Sequence, residues 1–343
     1  MGIDRTRAKL PRGVTQKGYG ERLTGLVGLL SAHHHQSHRL VQELLREVFG
    51  VVISIGGINR LRQEINEAVA GRVEEAKSYV QNQEAMNSDE TGFTQQNGDG
   101  KNPSNKRGWL WGLRTPLVSY FEVVLSRSQE TAKSLIGSSF KGIVTSDRYG
   151  AYNWLPLEQR QICWAHLKRD IVAISERSGV SGQIGNALLK RQYRLFRWWH
   201  RVRDGTMSHA LFIEAVSHLR RGFQQELERA AALPISSKEK TPLAKTVRTC
   251  RQILKVEPAL WTFVHHPSLE PTNNAAEQAL RPAVIWRRLS FGSKSQGGSE
   301  FVARMLTVTT SLHAQNRSVL DFLTQACRSA RFGLESPSLL PLL

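Results

Sequence analysis

The sequence predicts a mixed α/β core set among helices: an all-helical N-terminal region, short strands in the middle, and a long helical block before two closing helices. Three observations predict it. Residues 84–165 are rich in aromatic and β-branched residues broken by turn signals. Residues 20–77 and 166–266 carry apolar residues at helical spacing. The middle stretch reads strand, strand, strand, helix, strand, short helix, strand, the order of a mixed sheet that opens on a β-meander.

Residues 1–19 hold Gly, Pro and basic residues without periodicity and read as an arm. Leu40, Val41, Leu44, Leu45 and Val48 fall on one helical face, and Ile58, Leu61, Ile65 and Val69 on the next. Between them FGVVISIGG is a Gly-bounded turn in which Ser54 is placed to cap the second helix. Helix, turn, helix suits a DNA-reading unit with 54–68 in the recognition position, and equally a hairpin packed on the rest of the chain. RGWLWGLRTP and LVSYFEVVLS form a hairpin about a Thr-Pro turn. SQETAKSLIGSSF is a helix capped by Ser128, GIVTSD a short buried strand, and RQICWAH a strand entering a helix. Phe212, Ala215, Val216, Leu219, Phe223 and Leu227 mark the apolar face of a long helix. From 272 come TNNAAEQALRP, a strand-like WRRLSFGSKSQGG, and helices near 298–314 and 317–331.

The chain of 343 residues has 47 Lys plus Arg against 29 Asp plus Glu, a net charge of +18 with a pI near 10.3. Such a surplus implies a polyanionic partner, nucleic acid first. No apolar run reaches the ~20 residues of a membrane span, so no membrane role is expected. Cys163, Cys250 and Cys327 lie far apart, which excludes a disulfide scaffold or a CxxC ribbon and fits a reducing cytoplasm.

In so basic a chain, acidic residues at strand ends form a set worth testing. Asp89 lies in NSDETGF at the first strand, Asp147 ends the buried strand of VTSDRYGAYN, and Glu277 sits in TNNAAEQALRP on a helix capped by Asn273 or Asn274. Open α/β sheets bind ligands where strands end. Three carboxylates in one pocket repel unless a cation neutralises them, and hard oxygen donors select magnesium or manganese. Two such ions about 3.5–4 Å apart serve in-line phosphodiester chemistry. Each residue also has a plain structural reading. Asp89 caps a turn, Asp147 starts an Asx turn before Tyr149, and Glu277 pairs with Arg281 one turn on. Glu90 rivals Asp89, but neighbouring strand residues face opposite ways, so only one of them enters a site.

The segments YGERL, HHHQSHRLVQELL, SDETG, GWLWGL, LSRSQE, FKGIVTSDRYGAYN, ICWAHLKRD, TNNAAEQALRPAVIWRR and SFGSKSQGG together resemble the bacterial insertion-sequence-66 family transposases, from about residue 19 to 331. The resemblance implies a ribonuclease-H-like α/β catalytic core with an Asp, Asp, Glu triad, which falls by motif on Asp89, Asp147 and Glu277. It implies two Mg2+ or Mn2+ ions, cleavage of transposon ends, and strand transfer into target DNA. A homo-oligomer on DNA, small accessory proteins of the same element and a place at the bacterial nucleoid are further expectations. The implied organisation is a basic arm (1–19), a helical DNA-binding region (20–80), the first part of the catalytic domain (84–178), a helical insertion (180–266), its second part (270–331) and a tail (332–343). The insertion follows from the 130 residues between Asp147 and Glu277, far more than a minimal fold needs. Many members place a Cys-rich zinc ribbon ahead of the helical region. Its cysteines have no counterpart here, and weak end recognition by this chain alone is expected.

Around the triad, Cys163-Trp-Ala-His166 resembles the family's CWAH motif. It reads either as half a zinc site with His265 and His266, or as a buried Cys163 beside a His166 that supports the catalytic site with Asn274. Lys168 and Arg169 follow as phosphate contacts. Arg281 shares the face of Glu277, and Arg287, Arg288 and Lys294 flank a Gly-rich loop suited to close approach by DNA. Arg60 and Arg62 lie off the apolar stripe of the second helix and are expected to face a groove. Trp198 and Trp199 read as base-stacking groups or as buried anchors of the insertion.

Overall fold

Four helices open the described chain: α1 (Glu21–Ala32), α2 (His38–Phe49), α3 (Ile55–Ala68) and α4 (Ala70–Gln81). The computed structural model describes residues 18–341, so the expected basic arm lies outside it but for Gly18 and Tyr19. Strands β1 (Ala85–Gly92), β2 (Trp109–Arg114) and β3 (Ser119–Val124) follow, then α5 (Gln129–Ile136), β4 (Ile143–Ser146) and β5 (Arg160–Ile162). The helical block is α6 (Trp164–Ser175), α7 (Gly179–Arg203), α8 (His209–Ala231), α9 (Pro242–Lys255) and the single turn α10 (Thr262–His265). The chain closes with α11 (Asn274–Ser290), α12 (Gln296–Ala314) and α13 (Val319–Phe332). The five strands form one mixed α/β sheet in the order β3-β2-β1-β4-β5.

Two compact units divide the chain across its sequence order. One takes residues 18–83, 90–127 and 278–341; the other takes 84–89 and 128–277. In the first, local signals act as expected. Ser54 accepts from the Gly57 amide at 3.0 Å and starts α3, and Gly50 in the left-handed region (φ 64°) ends α2. Val27, Val41, Leu45, Ile58 and Leu61 make the core beneath. The α2 stripe is only half covered, because Leu40 and Val48 stay exposed. Helix α3 packs on α1, α2, α12 and α13.

The hairpin turns at Thr115, whose amide donates to Val118 O at 2.9 Å. As an edge strand, β3 would leave amides without a partner. Helix α12 supplies hydroxyls instead: Thr307 Oγ1 accepts from the Phe121 amide and Ser311 Oγ from the Ser119 amide, both at 3.0 Å.

One expectation is corrected here. WRRLS is not strand-like: α11 runs through it to Ser290, past Pro282. Proline removes one intrahelical bond, but burial of Ala283 and Trp286 on one face outweighs that loss. Only the following segment is extended, where Ser293 donates to Thr94 O (2.8 Å) and accepts from Gln96 N (2.9 Å).

The second unit is built on an aromatic core of Trp164, Trp199, Phe212, Phe223, Trp261 and Phe263. Trp199 is thus a buried anchor, with ring centroids 5.3 Å from Phe263 and 5.8 Å from Phe212. Helices α6 and α7 meet at Gly185, where any Cβ would lie 2.3 Å from the Ser175 amide nitrogen. Among the described residues no helix is long and apolar enough to cross a membrane.

A candidate active site at the ends of two parallel strands

Strands β1 and β4 are parallel, with Ala85 opposite Ile143, Met86 opposite Val144 and Asn87 opposite Thr145. That register is an offset of 58 residues (145 − 87). Asp89 and Asp147 are also 58 apart (147 − 89), so extending that register two residues past its last pair, to one residue beyond the end of β4, brings the two positions opposite each other. Neighbouring strands lie about 4.8 Å apart, close enough for two carboxylates to share one ion.

Along β1 the burial of Asp89 and Glu90 differs. Met86, Ser88 and Glu90 are buried on one face, and Asn87 and Asp89 share the other. Glu90 is held there by Arg127 at 2.6 Å, with its side chain 1% exposed. Asp147 stands one residue past β4, and its Oδ1 accepts from the Tyr149 amide at 2.8 Å. The expected Asx turn is present.

Glu277 is delivered by Asn273, which is fully buried just ahead of α11. The Asn273 amide side chain donates to Ser88 O at 2.8 Å and accepts from Asn87 Nδ2 at 2.9 Å. Its backbone N–H donates to Cys163 Sγ at 3.1 Å. Its carbonyl accepts from Ala276 N and Glu277 N and begins the helix. The start of α11 is therefore fastened to the β1 face that carries Asp89. Cys163 N–H in turn donates to Ser146 O at 2.8 Å, beside Asp147.

The Glu277 carboxylate lies 3.5 Å from His166 Nδ1 and 3.8 Å from Arg169 Nη2, both on α6. Among the described residues these are the basic side chains that lie against it, and Arg281 is not one of them. Glu277 Oε1 and His166 Nδ1 are both shut off from solvent without a hydrogen-bond partner. Cys163 Sγ, a His166 ring nitrogen and a Glu277 oxygen lie within 4.8 Å of one another. Burial pushes the Cys163 thiol pKa up, and its sulfur already accepts an amide N–H. His265 and His266 line a different cavity with Arg220 and Trp261. Carboxylate oxygens such as those of Asp89, Asp147 and Glu277 suit magnesium or manganese better than zinc.

A model of the transposase IS66 family matches residues 19–301, well over half of the chain. The chain belongs to the IS66 transposase family. A search of curated proteins finds no match. Family membership makes this a transposase, and DNA its substrate.

Against that identity the expected DNA contacts of this transposase divide. Arg169 is 66% exposed, and Lys168 is half-buried beside Tyr193. Asn274 is exposed, so the inward role belongs to Asn273, one residue earlier. Arg60, Arg281, Arg288 and Lys294 are exposed. Two expectations are corrected. Arg62 does not face a groove: its guanidinium lies 4.1 Å over the Phe301 ring and contacts His38 Nε2, and burial pushes its pKa down to about 10. Arg287 donates to Gly92 O and to Thr91 Oγ1 and is engaged within the fold. Sequence reading missed the Asn273 clamp, for which the paired Asn of TNNAAE was the available signal.

Proposed function

We propose that this IS66-family chain cleaves transposon ends and joins them to target DNA with Asp89, Asp147 and Glu277 as the metal-binding carboxylates of a ribonuclease-H-like core. One observation supports the reading: the 58-residue register of β1 on β4, which extended by two residues brings Asp89 opposite Asp147, on the face to which Asn273 fastens the helix of Glu277. The strand order supports the core assignment. In this reading residues 84–178 and 270–331 make the catalytic domain, and 180–266 is its insertion. The set fits two Mg2+ or Mn2+ ions, which when bound lower the pKa of an attacking hydroxyl and neutralise charge on the leaving oxygen.

The residues then act as follows. Asp89, Asp147 and Glu277 hold the reacting phosphate's counter-charge in place. His166 and Arg169 orient the Glu277 carboxylate, and Arg169 and Lys168 bind phosphate oxygens. Cleavage frees a 3′-hydroxyl at the element end. That oxygen bonds to a target phosphorus while the target's own 3′ oxygen leaves, so no protein-linked intermediate forms. The chain works as a homo-oligomer on DNA, with accessory proteins of its element, at the nucleoid.

The test is cleavage and joining by Asp89→Asn, Asp147→Asn and Glu277→Gln. Each removes a ligand without adding bulk, so each abolishes both activities and keeps DNA binding. Near-normal cleavage by one variant in magnesium removes that residue from the set. Cleavage by the unaltered chain without joining of a pre-cut end would make it a nuclease instead.

A further inference from the structure

We propose that the cleft between α6 and α7 is a pocket for one unpaired nucleotide of the DNA strand engaged at the carboxylates; the proposal rests on the catalytic reading above. The cleft has a volume of about 690 Å³ and is lined by Trp164, Lys168, Gln192, Tyr193, Phe196 and Arg201, among others. Small-molecule sites run from about 300 to 1,000 Å³, so a nucleotide fits. Thr272 and Asn274 complete the wall, and Asn274 is one turn from Glu277, so the cleft opens beside the proposed catalytic set.

Three independent features match a nucleotide: the face of its base, the edge of its base and its phosphate. Tyr193 is 55% exposed, an unusual position for a ring with no core to fill, and Phe196 stands beside it half-buried. Two such rings offer a stacking surface to a base. Gln192 is only 3% exposed, yet its Oε1 has no hydrogen-bond partner. A buried amide oxygen without a donor is costly, and the N–H edge of a base supplies one. Lys168 lies 4.9 Å from the Tyr193 ring, and Arg197 is exposed one turn further on. Helix α7 carries six Lys and Arg and no Asp or Glu, so nothing on it repels a sugar-phosphate chain. Free phosphate would leave the rings and Gln192 unused. An acidic peptide would leave the rings without a planar partner.

The experiment uses the whole chain without divalent ions, so that binding is read apart from chemistry. Probes are blunt duplex and the same duplex with a short single-stranded overhang carrying 2-aminopurine. The expected results are quenching of the 2-aminopurine on binding and about tenfold tighter binding of the overhang. Tyr193→Ala loses both while blunt-duplex affinity holds, and Tyr193→Trp keeps both. Gln192→Leu weakens the overhang preference but not binding of an overhang whose base is removed. An abasic overhang bound as tightly as the base-bearing one overturns the proposal, leaving only an electrostatic surface. So does an unchanged overhang preference in Tyr193→Ala. If the carboxylate variants keep cleavage while the overhang results hold, the catalytic assignment fails and the pocket stands.

Discussion

Asn273 is wholly buried, and both ends of its side-chain amide are occupied, by Ser88 O and Asn87 Nδ2. Asn273→Ala leaves those two groups without partners, at about 1–3 kcal/mol for each one that stays buried. It also frees the start of α11 from β1. We expect a lower melting temperature and a loss of cleavage of about tenfold or more, with duplex affinity unchanged. Single-turnover cleavage beside a gel-shift titration checks it, and normal cleavage would mean that α11 is held by other contacts. Arg62 and Arg60, two residues apart on α3, are expected to behave oppositely. Arg62→Ala removes a cation–π contact worth about 1–2 kcal/mol when desolvated and lowers stability. Arg60→Ala leaves stability unchanged and weakens DNA binding. Thermal melts and salt-matched titrations separate the two.

At the scale of elements, the junction of α1 and α2 is sensitive to acid. Burial holds the imidazoles of His35 and His38 below their ordinary pKa, and the Arg62 charge adds to this at His38. An unfolded chain takes up these protons below about pH 6.5, whereas the fold resists them. The contribution to stability is therefore full above that pH and declines as the pH falls towards the folded values. The melting temperature should drop between about pH 7.5 and pH 5. His38→Gln should reduce the size of that drop, and an unchanged pH profile in that variant would exclude His38 as a source.

For the whole molecule, a net charge of +18 makes DNA affinity mainly a matter of phosphate neutralisation. The logarithm of affinity should fall linearly with the logarithm of salt, by about 0.9 for each phosphate contacted. Replacing Arg194, Arg197 and Arg201 of α7 together by Gln should flatten that slope by up to about 2.7, from three contacts at 0.9 each. A flat response of the unaltered chain between low and physiological salt would contradict phosphate-driven binding.

Features that depend on near neighbours can be read directly from the chain. Ser54 and Ser128 cap their helices because a hydroxyl meets an amide three residues on. The Thr115 turn closes its hairpin within four residues. The apolar stripe of α8 needs only its own period to be seen. The 58-residue interval between Asp89 and Asp147 is plain in the chain, but only the parallel pairing of β1 with β4 shows that it equals the strand register. The remaining features depend on long-range packing. Asn273 acts across 185 residues on Ser88, and Arg62 is covered by Phe301 from α12. Helix α11 persists through Pro282 because Ala283 and Trp286 find a buried face. Each of these outcomes rests on partners remote in the chain, whose approach no local spacing encodes.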